Sequence, residues 1–164
     1  MKKVYFISGL GADKRAFSFL DLTFCEPIFI DWIKPVDNES LYQYAMRLKE
    51  QINEPSPTIV GVSFGGMLAT EIAKSDASAK VILISSNKIK KEFPKILLIG
   101  KYIPLYKWIP STILKKAGAF RVRFFGPKGE NQKKIFNQIL KDTDTKFTKW
   151  AIHSILHWGN KIEP

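Results

Sequence analysis

A strand–turn–helix segment around Ser63 constrains the fold of this chain more than any other feature. An apolar strand, Thr58–Val62, leads into Ser63, and a helical segment, Phe64–Lys74, follows directly. A serine on so sharp a turn leaves no room for side chains two positions to either side, and Gly61 and Gly65 occupy those positions. The helix would also point its N-terminal amides toward negative charge developing at the serine. The segment therefore predicts an exposed serine hydroxyl at the end of a strand.

Strands and helices alternate through the first 87 residues. This alternation predicts a parallel sheet with right-handed crossovers. The predicted strands are Lys3–Ser8, Pro27–Asp31, Thr58–Val62 and Lys80–Ser85. The predicted helices run from Asp13 to Leu20, over Asn38–Asn53 with Asn38 or Ser40 as the cap, and over Phe64–Lys74. In such sheets ligands bind beyond the carboxyl ends of the strands, where the Ser8–Gly11 turn, Asp31 and Ser63 are expected to meet.

The composition changes near Asn87. Residues 1–87 hold 9 Lys and Arg against 10 Asp and Glu, whereas residues 88–164 hold 17 against 5, which places the net charge of +11 in the second part. Prolines divide this part, and its pattern predicts helices without a convincing strand. The predicted helices are Lys95–Tyr102, Tyr106–Trp108, Ser111–Ala117, Gly129–Leu140 and Thr143–Trp158, the last capped by Asp142 or Asp144.

Several classes of function find little support in the residues. The single cysteine, Cys25, excludes an internal disulfide, and no ligand cluster indicates a metal or another cofactor. A dinucleotide-binding turn would need a glycine where Lys14 stands. The lysines are scattered and no nucleic-acid motif is present, so a solvated basic surface is preferred, with weak contact to an anionic membrane as a second option. No membrane span or signal peptide is evident, and a cytoplasmic location is expected.

The residues around Ser63 and the first strand resemble the α/β-hydrolases, in particular small bacterial members of the esterase and lipase-like type. Gly61-Val62-Ser63-Phe64-Gly65-Gly66 matches the nucleophile elbow, and Phe6-Ile7-Ser8-Gly9-Leu10-Gly11 matches the turn that usually reads His-Gly-x-Gly, with Ser8 in place of the histidine. The resemblance implies a partial α/β-hydrolase fold, with a parallel sheet in chain order 2-1-3-4 and helices on both faces. It covers residues 1–87 by motif and the rest by position and helical character.

The resemblance also implies roles for residues. Ser63 would be the nucleophile, and the backbone amides of Leu10 and Phe64 would form the oxyanion hole. Residues 1–87 would be the N-terminal part of the core, and residues 88–158 would be a helical cap inserted after the strand Lys80–Ser85. Residues 159–164 would begin the return to the core. Aromatic cap residues would line the substrate pocket, with Phe93, Trp108 and Phe124 as candidates.

The triad acid and the base are expected to lie outside this chain, which reads as truncated before them. In this fold the order is serine, then acid, then histidine on a late loop, whereas the histidines here are His153 and His157 on a predicted helix. A glutamate after the first histidine would indicate a zinc protease, and Ser154 stands there. His157 as a substitute base and Asp31 as the acid are the less favoured alternatives.

The expected function is therefore hydrolysis of a small-molecule carboxylic ester or thioester with an apolar acyl part, without a cofactor or metal. The 164 residues alone are expected to be nearly inactive, because a serine without its base is a weak nucleophile. The alternative is a non-catalytic binding module on the same fold, whose basic cap would contact an anionic membrane or a protein partner. The sequence specifies no oligomeric state.

Overall fold

Four parallel strands form one sheet in the spatial order β2-β1-β3-β4 in the computed structural model of the chain. The structure describes residues 1–93, 102, 106, 108–110, 112–113 and 129–161. This order confirms the predicted 2-1-3-4 arrangement. The strands are β1 (Lys3–Ile7), β2 (Glu26–Phe29), β3 (Thr58–Val62) and β4 (Lys80–Ile84).

Helices follow the predicted segments within the described ranges. They are α1 (Leu41–Lys49), α2 (Phe64–Lys74), α3 (Glu130–Asp142) and α4 (Thr145–His157), with short 3₁₀ helices at Lys14–Phe17 and Lys90–Glu92. The helices predicted at Lys95–Tyr102, Tyr106–Trp108 and Ser111–Ala117 fall mostly outside the described residues.

The start of α1 decides between the two predicted caps. Ser40 is the N-cap: its hydroxyl accepts from the amide of Gln43, and the Gln43 side chain accepts from the amide of Ser40. This reciprocal pair satisfies two amides that the helix itself leaves unbonded. Asn38 has φ of 61°, a left-handed conformation that cannot belong to a helix.

The core is divided between the two faces of the sheet, because neighbouring residues of a strand point to opposite sides. Tyr5, Ile7 and Ile59 face the larger cluster, which includes side chains of α1, α2 and α4. The alternate strand residues belong to a smaller cluster, which the segment around the first 3₁₀ helix covers; its buried members are Val4, Phe6, Phe17, Cys25 and Val60. Helices therefore lie on both faces, as predicted.

The end of the second part is joined to the core rather than set apart from it. Phe147 and Ala151 of α4, and Trp158 after it, are buried in the larger cluster. Asn160 then bonds to the chain near residue 88, because its side-chain amide donates to Lys88 O at 2.7 Å and its carbonyl accepts from the amide of Lys90 at 2.8 Å. The two ends of the segment proposed as a cap therefore meet at one place.

Strand β4 lies at the edge of the sheet and carries apolar side chains on an open face. Ile82 and Ile84 are 52% and 44% exposed. Because open strand edges pair with other chains, we expect the 164-residue chain to self-associate, and Ile82→Lys to weaken that association. Sedimentation over a range of concentrations measures it, with Val36→Lys as a control at an exposed apolar residue outside the sheet. A monomer at every concentration would contradict the expectation.

Candidate active site

Ser63 has the backbone of a strained turn between β3 and α2. Its φ and ψ are 51° and −116°, a conformation that costs a residue with a side chain about 1–3 kcal/mol. Two bonds hold it there: the Ser63 amide donates to Ile84 O at 2.9 Å, and Ser86 Oγ donates to Ser63 O at 2.7 Å. The residue is exposed, whereas Phe64 and the nine residues after it are buried. The turn thus raises the serine above an otherwise buried helix.

The glycines on either side of Ser63 are needed for close packing, as the sequence predicts. A Cβ on Gly61 would lie 2.5 Å from the Cα of Gly66, so β3 could not approach α2. A Cβ on Gly65 would collide with the carbonyl oxygens of Ile7 and Ser8 at the end of β1. Both obstacles are backbone atoms, which cannot rotate away.

The turn after β1 lies beside Ser63. A Cβ built on Gly9 would be 3.5 Å from the Ser63 Cβ, which places this turn in contact with the serine side chain. The buried Ser8 donates from its hydroxyl to Ala12 O at 2.9 Å, and the Trp32 indole donates to the same oxygen at 2.6 Å. Ser8, which stands where histidine is usual, therefore closes the loop that carries Leu10.

The amides of Leu10 and Phe64 lie in the turn after β1 and at the first residue of α2. Within the described residues, neither donates a hydrogen bond to a protein atom. Phe64 is the first residue of α2, where amides have no partner within the helix and the helix dipole favours negative charge.

The two histidines occupy a different part of the molecule. His153 and His157 lie on α4 with ring centroids 4.0 Å apart, and His153 Nδ1 is 2.5 Å from the hydroxyl of Tyr106. Both line a cavity of about 760 Å³ together with Glu71, and Ser63 is not among its lining residues. The structure therefore does not bring either histidine together with the serine in this cavity. Asp31, the alternative acid, is exposed beyond β2.

A buried carboxylate joins α2 to the end of α4. Glu71 is 2% exposed, and its two oxygens accept from the Trp158 indole at 2.6 Å and the Lys74 ammonium at 2.8 Å. The sequence gives no local signal for this contact, because Glu71 and Trp158 are 87 residues apart. Each partner satisfies one oxygen of a group that burial would otherwise penalise.

We expect Trp158→Phe to lower the free energy of unfolding by about 1–3 kcal/mol, because it leaves one buried oxygen of Glu71 without its donor and removes part of the packing of the indole. Chemical denaturation measures this loss. Trp108→Phe is the control, since Trp108 is 85% exposed and a surface change should stay within about 0.5 kcal/mol. Equal stabilities of the two variants would show that the Glu71 bond contributes nothing.

The described part of the structure does not bring the three predicted pocket residues together at one site. Phe93 is half-buried and packs edge to face on Trp158, with ring centroids 5.8 Å apart. Trp108 is largely exposed. Phe124 lies outside the described residues. Neither Phe93 nor Trp108 lines the histidine cavity or a second cavity of about 370 Å³, whose walls include Gly11, Trp32 and Phe147.

Two searches of the described ranges gave negative results. In residues 1–93, 129–161 and the few described between them, no three His, Cys, Asp or Glu side chains are placed to hold a metal ion. None of the helices in these ranges combines the length and the apolar character that crossing a bilayer requires.

Comparison with known proteins gives matches by structure. Neither the protein-family models nor the curated sequences contain a match. A lipase-esterase related protein from Clostridium acetobutylicum matches with a TM-score of 0.67 and 14% identity, over 96% of this chain and 67% of that one. A structure from work on carboxylesterases of Nitrososphaera gargenis matches with a TM-score of 0.66 and 13% identity, over 97% and 65%.

The structural matches extend beyond esterases. The bottromycin epimerase BotH, solved in complex with bottromycin A2, matches with a TM-score of 0.68 and 16% identity, over 95% of this chain and 64% of that one. This chain therefore spans about two thirds of the length of these structures. At such identities the likeness concerns architecture and leaves the reaction to be argued from the site. The sheet order, the elbow at Ser63 and these matches together show that the chain has the α/β-hydrolase fold.

Proposed function

We propose that Ser63 is the nucleophile of a hydrolase that cleaves a carboxylic ester or thioester with an apolar acyl part. The observation that carries the proposal is the strained, exposed Ser63 at the start of α2, beside two amides without acceptors. Strain of this kind persists where the surrounding structure imposes it, and it concentrates at functional positions.

The chemistry follows from this arrangement. Ser63 Oγ attacks the substrate carbonyl and forms a bond to its carbon, while a base takes the hydroxyl proton. The carbonyl oxygen gains negative charge, which the amides of Leu10 and Phe64 stabilise. The bond to the alcohol or thiol then breaks, and the base returns the proton to that leaving group. Water completes the cycle by releasing the acid from the acyl-serine.

We infer that the base and the triad acid lie outside residues 1–164. In support, the histidines of this chain line the cavity beside Glu71, whose walls do not include Ser63. The 164 residues alone should therefore hydrolyse activated esters slowly. The oxyanion hole and substrate binding can sustain about 10³–10⁴ over the rate in water when the triad is incomplete.

The remaining assignments complete the proposal. Residues 88–158 form the cap of a core whose first part is residues 1–87, and the bonds of Asn160 to Lys88 and Lys90 support this boundary. The location is cytoplasmic. The substrate is a small molecule, and anionic membranes are contacted weakly at most, through the basic second part.

Imidazole added to the chain tests this proposal, because it can supply the missing base. We expect the 164-residue chain to hydrolyse 4-nitrophenyl butyrate faster as imidazole is added, beyond the direct reaction of imidazole with the ester. Ser63→Ala should remove that increment and leave the direct reaction. If the imidazole-dependent increase in rate persisted in Ser63→Ala, Ser63 would not be the nucleophile. Full activity without imidazole would place the base within these residues and make His157 the first candidate.

A further inference from the structure

The cavity of about 370 Å³, here called the Trp32 cavity, lies beyond the carboxyl ends of β1 and β2. Three segments form its walls: the turn after β1, the loop after β2, and the junction of α3 with α4. The apolar side chains of Trp32, Ile33, Ile139 and Phe147 line it, together with the carboxylates of Asp13 and Asp144. The cavity thus lies between the core and the second part of the chain.

Two connections link this cavity to the candidate nucleophile. Gly9, whose Cα lies beside the Ser63 side chain, is two residues before Gly11 in the cavity wall. On the other side, the rings of Trp32 and Phe147 pack against the ring of Phe64, with centroids 5.8 and 6.4 Å away. The cavity and the elbow therefore share two neighbours, the turn after β1 and the ring of Phe64.

The walls are held by hydrogen bonds between the three segments. The Trp32 indole donates to Ala12 O, and the Thr143 hydroxyl lies 3.0 Å from Gly11 O. Arg15 bridges Asp13 and Asp142, at 2.6 and 2.8 Å, and its hydrogen bonds hold the pKa of Asp13 below the ordinary value. A cavity held in this way exists before the ligand arrives, which reduces the entropy cost of binding.

The lining indicates the chemistry of the occupant. Trp32, Ile33, Ile139 and Phe147 make the walls largely apolar, and Asp13, Asp142 and Asp144 outnumber the cations Lys34 and Arg15. The volume is near the lower end of the roughly 300–1,000 Å³ found for small-molecule sites. The apolar walls suit a short acyl chain, and the excess of carboxylates disfavours a further negative charge.

We propose that the Trp32 cavity binds the acyl chain of a short, uncharged ester or thioester and rejects anionic acyl groups and long lipid chains. This inference rests on the proposed function, because the cavity is the acyl site of an enzyme only if Ser63 is the nucleophile. The binding itself does not depend on that reaction.

Binding to the Ser63→Ala chain tests the cavity without turnover. The probes are 4-nitrobutyranilide and its anionic counterpart, the mono-4-nitroanilide of glutaric acid, whose amide bonds are stable. We expect the uncharged probe to shift the methyl resonances of Ile33 and Ile139, and the anionic probe to bind about tenfold more weakly. Shifts confined to other isoleucines, or equal affinity for both probes, would overturn the proposal.

Two variants sharpen the assignment. Ile33→Trp should fill the cavity and abolish the shift of Ile139, whereas Val36→Trp, at an exposed position nearby, should leave binding unchanged. Asp144→Asn removes one carboxylate and keeps an equally good N-cap for α4. It should therefore reduce the ratio of the two probes' dissociation constants severalfold. If Ile33→Trp fails to fold, Asp144→Asn decides: an unchanged difference between the probes overturns the charge argument.

Turnover separates this proposal from the proposed function. In protein that hydrolyses 4-nitrophenyl esters through Ser63, kcat/KM should be at least about tenfold higher for butyrate than for palmitate. Probe binding without Ser63-dependent turnover would contradict the proposed hydrolase function and would still support binding in the Trp32 cavity. Turnover through Ser63 without shifts of the Ile33 and Ile139 methyl resonances, or with a higher kcat/KM for palmitate than for butyrate, would contradict only the assignment of the Trp32 cavity.

Discussion

Gly65→Ala is expected to lower the free energy of unfolding by about 3 kcal/mol. The sign is informative, because alanine in a helix is ordinarily about 1 kcal/mol more favourable than glycine, and Gly65 lies within α2. Here the added Cβ would collide with the carbonyl oxygens of Ile7 and Ser8. Either β1 or α2 must shift, and the steric cost exceeds the helical gain. Urea denaturation of the two proteins measures the difference.

Gly159→Ala is the matched control, because nothing lies within 4 Å of the position that its Cβ would occupy. It should be neutral or stabilise by up to about 1 kcal/mol, since alanine restricts the unfolded chain. If Gly65→Ala lowers the free energy of unfolding and Gly159→Ala does not, the loss of stability comes from the contact of the added Cβ with β1. If Gly65→Ala were as stable as the parent, the close approach of the elbow to β1 would be wrong.

Ser63→Ala should reduce ester hydrolysis by at least about 10³-fold in protein supplied with imidazole as the base, once the direct reaction of imidazole with the ester is subtracted. The reason is that no covalent acyl intermediate can form without the Ser63 hydroxyl, while the amides of Leu10 and Phe64, the proposed oxyanion hole, are unchanged. The loss should fall on kcat, with KM changed little. Initial rates with 4-nitrophenyl butyrate over a range of substrate concentrations measure both.

Ser18→Ala is the control for this prediction. Ser18 is exposed, and its hydroxyl bonds to Arg15 O outside the elbow, so its removal should leave kcat unchanged. A loss of the same size in both variants would indicate general damage to the protein. Retention of activity in Ser63→Ala would favour the alternative of a binding module whose hydrolysis comes from another group.

Features encoded by local pattern were predictable from the sequence. The alternation of strands and helices, the glycines around Ser63 and the cap at Ser40 each depend on residues within a few positions of one another, and the structure confirms them. The strand order was implied by the resemblance to the α/β-hydrolases, and the sheet confirms it.

Contacts between residues that lie far apart in the sequence were not predictable from local pattern. The Trp32 indole reaches Ala12 over 20 residues, and the Thr143 hydroxyl reaches Gly11 over 132. No periodicity or motif marks either pair, because the first joins two separate loops of the core and the second depends on how the second part packs against the first. The pocket candidates Phe93, Trp108 and Phe124 were chosen as aromatic residues of the cap that the resemblance implies, whereas the cavity walls come from three separate loops and junctions.

Ser8 shows how a departure from a motif is explained by contacts. By resemblance alone, a serine where histidine is usual weakens the match. In the structure its hydroxyl is buried and bonds to Ala12 O, so the residue shapes the turn that presents the Leu10 amide. A small hydroxyl suits this position because the indole of Trp32 donates to the same oxygen.

The most direct test of the central claim is to locate the covalent adduct of a fluorophosphonate ester. This reagent traps activated serines by forming an Oγ–phosphorus bond with loss of fluoride. The protein, with imidazole present, is digested after labelling and its peptides are sequenced by mass spectrometry. The account predicts one phosphonate on Ser63, in amounts that match the loss of ester hydrolysis. Complete loss of hydrolysis with the adduct on another residue, or with Ser63 unmodified, would contradict it.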